Sequence, residues 1–460
     1  MDEALSLAPA NGAARVTPRL RRRAAAATVY AVVGANAVVI VWLWVHGGNL
    51  DVPTTGEILT SIGRITGLLA AYLALLQVIL LARLPALERA VGLDRLTVWH
   101  RWNGHACIDL VVAHVVFTVW GYALMDKLPL GKEISTMLGG GVYPGMITAT
   151  IGTAMLLAVV ATSLVIVRRR LSYEWWYAVH LLAYGGIALP WFHEIPTGNE
   201  LVLDHAAATY WRALYVATIA ILVTYRLALP LLQLARHRLR VAEVVEESPS
   251  VVSLRLTGRR LDRLGAEPGQ FFLWRFLDRR RIWSAHPFSL SAAPDGRSLR
   301  ITVKALGDHS ARLCGIRPGT RVLAEGPFGV FTESARRRRT KVLLLAGGIG
   351  ITPIRALVER MRGDVVVAYR ALDEADLIFK DELDALAARS GARVLYVVGD
   401  HRGAGARLLS PEHLRELVPD VAERDVFLCG PPAMTDALDR NLRGAGVPRR
   451  HIHLERFALT

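Results

Sequence analysis

Cysteine is scarce: three in 460 residues, Cys107, Cys314 and Cys429. They show no pairing pattern and no metal-type spacing, which excludes a disulfide framework and an iron–sulfur site. Acidic residues are also short, 40 against 55 Lys and Arg, leaving a net charge of +15. So basic a chain suggests nucleic acid. Much of the charge sits beside apolar runs, however, where the positive-inside rule puts it, so no nucleic-acid partner is expected. A cleavable leader is not expected either. Asp2 and Glu3 open the chain, and the first apolar run is too long for a signal-peptide core. No internal repeat is present.

What is abundant is apolar sequence, 52% of residues, concentrated in the first half. After a basic tail, 1–23, six runs near the ~20 residues a bilayer needs fall at about 24–45, 57–82, 99–124, 144–168, 174–195 and 207–232. The fifth is interrupted by Gly185, Gly186 and Pro190. Arginines fix the orientation. They cluster before the first run (Arg19, Arg21, Arg22, Arg23), between the second and third (Arg83, Arg89, Arg95), between the fourth and fifth (Arg168, Arg169, Arg170) and after the sixth (Arg236, Arg238, Arg240). The loops near 46–56 and 196–206 have no Lys or Arg, and 125–143 has only Lys127 and Lys132. The expectation is a multi-pass protein of the cell membrane, in contact with lipid, with both termini cytoplasmic.

The third run carries His100, His105 and His114, and the fifth carries His180 and His193. Ionisable groups inside a bilayer are costly and usually serve a function. His100 and His114 lie 14 residues apart, roughly 21 Å along a helix and roughly 40° from a common face. His180 and His193 lie 13 apart, a matching rise but an offset of about 140° that Pro190 must correct by kinking or unwinding the helix. Two helices so spaced can clamp two stacked haems, His100 with His180 and His114 with His193, because neutral imidazole is a common axial ligand. The plain alternative is that each imidazole only hydrogen-bonds within the bundle. His105 reads as bundle-facing or as a propionate contact, and Trp99 and Trp102 as interface anchors. Arg64, inside the second run, either pairs with a haem propionate or extends to the surface.

From about Val241 the pattern changes to short strands separated by turns (240–335), the sign of a small antiparallel β-barrel or sandwich. Beyond a charged linker, strands alternate with helices (340–460), which implies a parallel α/β sheet. In the first segment His286-Pro287-Phe288-Ser289 ends a strand. Its hydroxyl and aromatic ring suit a flavin's N5 and ring face, and Lys304, Gly307 and Ser310 are candidate phosphate contacts. In the second, Gly347-Gly348-Ile349-Gly350-Ile351-Thr352-Pro353 lies between a strand and a helix. There glycines let a backbone approach a pyrophosphate. Cys429-Gly430-Pro431-Pro432 ends another strand on the same edge, where open α/β sheets bind ligands. Arg370 and Arg402 are candidates for a ribose 2′-phosphate, or plain surface charges.

With these motifs in place the chain resembles the ferric reductase and NADPH oxidase superfamily, over about residues 24–460. The resemblance implies a six-helix transmembrane bundle holding two b-type haems on His100/His114 and His180/His193. It implies an FAD-binding β-barrel with its His-Pro-Phe-Ser motif at His286–Ser289, and an NADPH- or NADH-binding α/β domain carrying Gly347–Pro353 and Cys429–Pro432. The family's flavin-covering aromatic falls on Phe457, which three residues follow. No EF-hand calcium loop precedes the membrane domain. The implied activity carries electrons from cytoplasmic NAD(P)H through FAD and haem to an acceptor outside, O2 or a ferric chelate. A third possibility is a haem-binding redox subunit serving a protein partner, which no feature specifically indicates.

Overall fold

The computed structural model describes residues 18–139, 143–168, 170–171, 173–279, 281–282, 284–305, 313, 315–337, 340–400 and 407–456. The chain divides into two compact units, one of Tyr30–Glu88 with Gly92–Arg236, the other containing His237–Thr460.

The first unit is helical. Its elements are α1 (Pro18–His46), α2 (Thr55–Leu80), α3 (Leu93–Met125), α4 (Met146–Ser163), α5 (Tyr173–Ala188) and α6 (His205–Val223), with shorter helices between them. Helix α1 starts inside the stretch 1–23 expected to be a loose tail. Among the described residues five helices are long and apolar enough to cross a membrane: Ala24–His46, Thr55–Leu80, Arg95–Met125, Met146–Ser163 and His205–His237. The fifth expected span, 174–195, is not one helix. α5 is 16 residues long, and after Leu189 and Pro190 the chain resumes as a separate short helix, Trp191–Thr197. Proline has no N–H to donate and its ring obstructs the preceding turn, so a break here is where the sequence puts it.

Glycine sets how the helices pack. Gly56, Thr60, Gly63 and Gly67 recur along one face of α2. A Cβ on Gly63 would meet Thr118 Oγ1 at 2.4 Å, and one on Gly121 of α3 would meet the Gly56 carbonyl at 2.7 Å. The two backbones therefore run in close contact, as small residues allow between membrane helices. α4 and α5 share the device: a Cβ on Gly152 would meet Pro190 at 2.8 Å, and one on Gly186 would meet Leu156 at 2.8 Å.

The second unit begins with six strands, β1 (Arg240–Ser248), β2 (Val251–Thr257), β3 (Phe271–Phe276), β4 (His286–Ser289), β5 (Ser298–Lys304) and β6 (Val322–Phe328). They form two three-stranded antiparallel sheets, β1-β2-β5 and β4-β3-β6, rather than one continuous barrel. Single bridges, Arg240 to Arg321 and Leu290 to Ile301, link them around a core that includes Leu254, Phe272, Trp274 and Ile301. Five parallel strands follow: β7 (Lys341–Gly347), β8 (Asp364–Ala371), β9 (Arg393–Val398), β10 (Asp425–Gly430) and β11 (Ile452–Arg456), in the order β11-β10-β7-β8-β9. In β7, Val342, Leu344 and Ala346 enter one core while Leu343 and Leu345 enter the other. A sheet buried on both faces reads as an unbroken apolar run, which is why KVLLLAG is legible as a strand.

A charged cluster joins the two parts of this unit. Arg300 on β5 donates to both oxygens of Glu382, at 2.8 and 2.9 Å, on helix α8 (Lys380–Ser390). Arg355, on helix α7 (Ile351–Val358), donates to Glu382 at 2.8 Å and to the Ser291 carbonyl at 3.2 Å. Partial burial works to raise the Glu382 carboxyl, but the two guanidinium groups, Arg300 foremost, outweigh it and hold it below its ordinary value. The pairing is therefore in force above the unfolded-state value near ~4.3 and is lost as the pH falls through the lower folded-state value. Glu382→Gln should lower the stability of the full chain by about 1 kcal/mol at pH 7, a modest figure because water screens the carboxylate. That deficit should vanish towards pH 3 in denaturation curves. A deficit that persists in acid would contradict the pairing.

Candidate functional site

The heptad positions 100, 107, 114, 118 and 121 of α3 face α2. His100 Nδ1 lies 3.2 Å from the Gln77 carbonyl, and Gln77 Nε2 donates to the His100 carbonyl at 2.8 Å. Asn103 donates to Gln77 Oε1 at 2.7 Å and to the Leu73 carbonyl at 2.8 Å. Cys107 Sγ lies 3.5 Å from the Ala70 carbonyl. Two turns further, His114 Nδ1 reaches the Gly63 carbonyl at 2.7 Å, with its ring so close to Gly67 that a Cβ there would stand 2.6 Å from Nδ1. An imidazole that donates its Nδ1–H to a carbonyl keeps Nε2 free as a ligand.

The structure brings His100 and His180 together, with ring centres 6.1 Å apart. An iron held by one nitrogen from each side, at metal–nitrogen lengths of about 2 Å, separates two imidazole centres by about 6 Å, so this pair fits a bis-histidine haem. His180 Nδ1 is buried and has no hydrogen-bond partner among the described residues. His193 lies past the Pro190 break, in the short helix Trp191–Thr197. Its Nδ1 is 3.2 Å from Thr197 Oγ1, whose own proton goes to the His193 carbonyl. His105, read as bundle-facing or as a propionate contact, is exposed: five residues on from His100, it points off the α2 seam. Arg64 donates to Asn49 Oδ1 at 3.0 Å, and Ser61 donates to the Asn49 carbonyl. Its partner is thus the polar loop after α1. Sequence reading missed Gln77, Asn103, Asn49 and Thr197. The available signals were an amide inside an apolar run and a threonine one turn after a histidine.

In the second unit, parallel order reverses between β7 and β10, which makes the crevice at their carboxyl ends the switch point where such sheets take ligands. The glycine turn Gly347–Gly350 and the Cys429–Pro431 turn face each other there. A Cβ on Gly350 would meet the Cys429 carbonyl at 2.3 Å, and one on Gly347 would meet Met434 Sδ at 2.2 Å. Gly348 differs: its φ is +52° and a Cβ would meet nothing within 4 Å. Its backbone borders open space, as a turn that receives a phosphate must. Thr352 Oγ1 donates to the Ile349 carbonyl at 3.0 Å, and Thr352 and Pro353 are buried, so they hold the turn's shape. Cys429 is fully buried, which pushes its thiol well above the ordinary range.

Among the flavin candidates, Ser289 is buried, Phe288 is half-buried, and Pro287 pairs with Leu273. Trp274 Nε1 on β3 donates to the Phe288 carbonyl of β4 at 2.9 Å. Lys304 forms an ion pair with Asp376 at 3.5 Å. The Arg370 guanidinium is bound to the Ala371, Val397 and Gly399 carbonyls, which hold it against the carboxyl edge of β8 and β9. Gly307, Ser310, Arg402 and Phe457 lie outside the described residues. Gly348→Ala adds a methyl that touches no protein atom and costs about 1 kcal/mol of left-handed strain. It should keep the fold while raising the KM for NAD(P)H at least tenfold. An unchanged KM in steady-state kinetics would remove Gly348 from the nucleotide site.

The family described as ferric reductase like transmembrane component matches residues 66–190. The oxidoreductase NAD-binding domain matches residues 344–440. The ferredoxin reductase component of 3-ketosteroid-9-alpha-monooxygenase from Mycolicibacterium smegmatis is 37% identical over 233 residues, 48% of this chain and 65% of that protein. This chain thus spans just under two thirds of that relative. Ferredoxin--NADP reductase B from Sorangium cellulosum is 33% identical over 189 residues, 37% of this chain and 77% of its own length. A solved ferredoxin NADP+ reductase from Neisseria gonorrhoeae, with bound FAD and NADP, superposes with a TM-score of 0.41 at 20% identity, covering 48% of this chain and 98% of that one. With a ferric reductase-like membrane component followed by a ferredoxin–NADP+ reductase-like module, the chain belongs to the ferric reductase and NADPH oxidase superfamily of oxidoreductases.

Proposed function

We propose that this protein is a transmembrane oxidoreductase that moves electrons from cytoplasmic NAD(P)H to an acceptor on the far side of the cell membrane. The observation that carries this reading is the His100–His180 pair, set 6.1 Å apart within a bundle of apolar helices. His114 and His193 form the second pair. When bound, FAD takes a hydride from NAD(P)H and releases electrons singly, and two b-type haems relay them across the bilayer.

The chain's own residues supply the rest. Gly347, Gly348 and Gly350 admit the pyrophosphate to the sheet edge. Cys429, Gly430 and Pro431 wall the nicotinamide side, and Arg370 lies beside the ribose. His286, Pro287, Phe288 and Ser289 would border the flavin ring, with Lys304 near its phosphates; Gly307 and Ser310 as further phosphate contacts and Phe457 as the covering aromatic are assigned from the sequence motifs alone. Arg64, which donates to Asn49, is assigned to a haem propionate. If His100, His180, His114 and His193 held two irons as pairs, these side chains would leave the acceptor no iron position to bind, which would suit a small diffusing molecule reduced without iron ligation; we take it to be O2, yielding superoxide. The second reading, a ferric chelate as acceptor, is favoured by the match to a ferric reductase-like component.

The purified chain should show a low-spin b-type spectrum with two haems per chain, and His114→Leu should retain only one. A wild-type spectrum without haem would remove the relay. With NADPH and FAD, cytochrome c reduction that superoxide dismutase abolishes supports O2. Dismutase-insensitive reduction together with rapid ferric-chelate turnover would transfer the assignment to ferric iron.

A further inference from the structure

The four histidines are not held alike. Three of them place Nδ1 beside an oxygen: Gln77 O for His100, Gly63 O for His114 and Thr197 Oγ1 for His193. His180 is the exception, its Nδ1 buried and unpartnered among the described residues. What touches its ring instead is Trp176, one turn earlier on α5, with ring centres 4.9 Å apart and planes 31° apart. Trp176 Nε1 is 3.4 Å from Ser163 Oγ on α4. On the indole lies the Arg168 guanidinium, 4.8 Å from the ring centre. The result is a column of Arg168, Trp176, His180 and then His100.

We infer that the Arg168–Trp176 stack positions His180 where the other three histidines use a hydrogen bond, and that it raises the electron affinity of the haem held by His100 and His180. The inference rests on the haem reading above. An imidazole that donates Nδ1–H to an oxygen becomes a more basic ligand and favours ferric iron. His180 lacks that bond and is the weaker donor, which favours the ferrous state. The stack acts in the same direction. Arg168 is a permanent cation held against an indole face by cation–π attraction. Across roughly 10–13 Å at an effective dielectric of about 20, one positive charge changes a one-electron equilibrium about tenfold. Both proposed ligands of the other haem, His114 and His193, are hydrogen-bonded, and among the described residues neither carries such a column. The His100–His180 haem is therefore the one reduced at the higher potential, and Trp176 and Arg168 are positioning residues acting through His180.

The test is a potentiometric titration of the purified full-length protein with its haems, followed optically and by the low-spin electron paramagnetic resonance signals. The wild type should titrate in two one-electron transitions. Arg168→Gln should move the higher one downward by about tenfold in the reduced-to-oxidised ratio, about 59 mV for one electron, and leave the lower one in place. Trp176→Leu should shift the same transition and alter one resonance signal, while Trp176→Phe, which keeps a stacking face, should restore both. Unchanged transitions in Arg168→Gln, equal movement of both, or movement of the lower one alone would overturn the inference. A wild-type spectrum without b-type haem would instead defeat the haem reading, and it would do so before any variant is measured.

Discussion

A polar group inside an apolar bundle must find its partner within the bundle, because the lipid supplies none. The α2–α3 seam satisfies that constraint with backbone. Helix carbonyls already accept their own intrahelical bonds, yet each has a second lone pair, and a close neighbour can use it. His114 does so at Gly63 and His100 at Gln77. The approach is short enough only because α2 presents Gly56, Gly63 and Gly67 to α3, where any Cβ would collide. The glycines and the histidines are therefore one device: remove the small residues and the imidazoles lose the acceptors that orient them.

The partner helix reaches the same end by other means. α5 packs on α4 through Gly152 and Gly186, but its histidine spacing does not keep both rings on one side. Pro190 interrupts the helix between His180 and His193, and the restarted turn, Trp191–Thr197, resets the angular position of His193. Thr197 is close enough to provide the local acceptor because the new helix puts it one turn on. A break costs intrahelical bonds, and the local backbone makes up part of them: Phe192 donates to the Leu189 carbonyl at 3.3 Å, and His193 and Glu194 donate to the Pro190 carbonyl at 2.9 and 2.8 Å.

The sequence made the nucleotide sheet legible almost strand by strand, since a doubly buried strand such as Lys341–Gly347 has no polar alternation to confuse it. The glycine turn and the Cys429 turn were legible for a related reason. Backbone contact at a sheet's switch point leaves no room for a Cβ, and the requirement shows as glycine. Less legible was whatever depends on one element meeting another. Periodicity marked the apolar stretch 174–195 but could not say where a proline divides it. The strand pattern announced β structure, yet the split into two three-stranded sheets depends on pairing between distant segments. Lys304 and Arg370 read as candidate phosphate contacts, but which protein groups hold them, Asp376 for the one and three carbonyls for the other, was not legible. The α2 seam takes up His100 and His114, the pair that the 14-residue interval already set apart from His105.

The 14-residue interval on α3 then acquires a physical meaning. The hydrocarbon layer is ~30 Å thick, so on the proposed haem reading one iron could not serve both surfaces, whereas two irons separated by a rise of roughly 21 Å would each stand near one of them. Moving both histidines inward would bring the irons together but strand each far from its donor or acceptor. Moving them outward would place the rings in the interface, where water competes for their nitrogens. Two heptads is also the interval that keeps both rings on the α2 seam, within reach of acceptors. The spacing thus meets a crossing-distance requirement and a hydrogen-bonding requirement together, and the glycine-lined contact between α2 and α3 is what allows one helix to satisfy both.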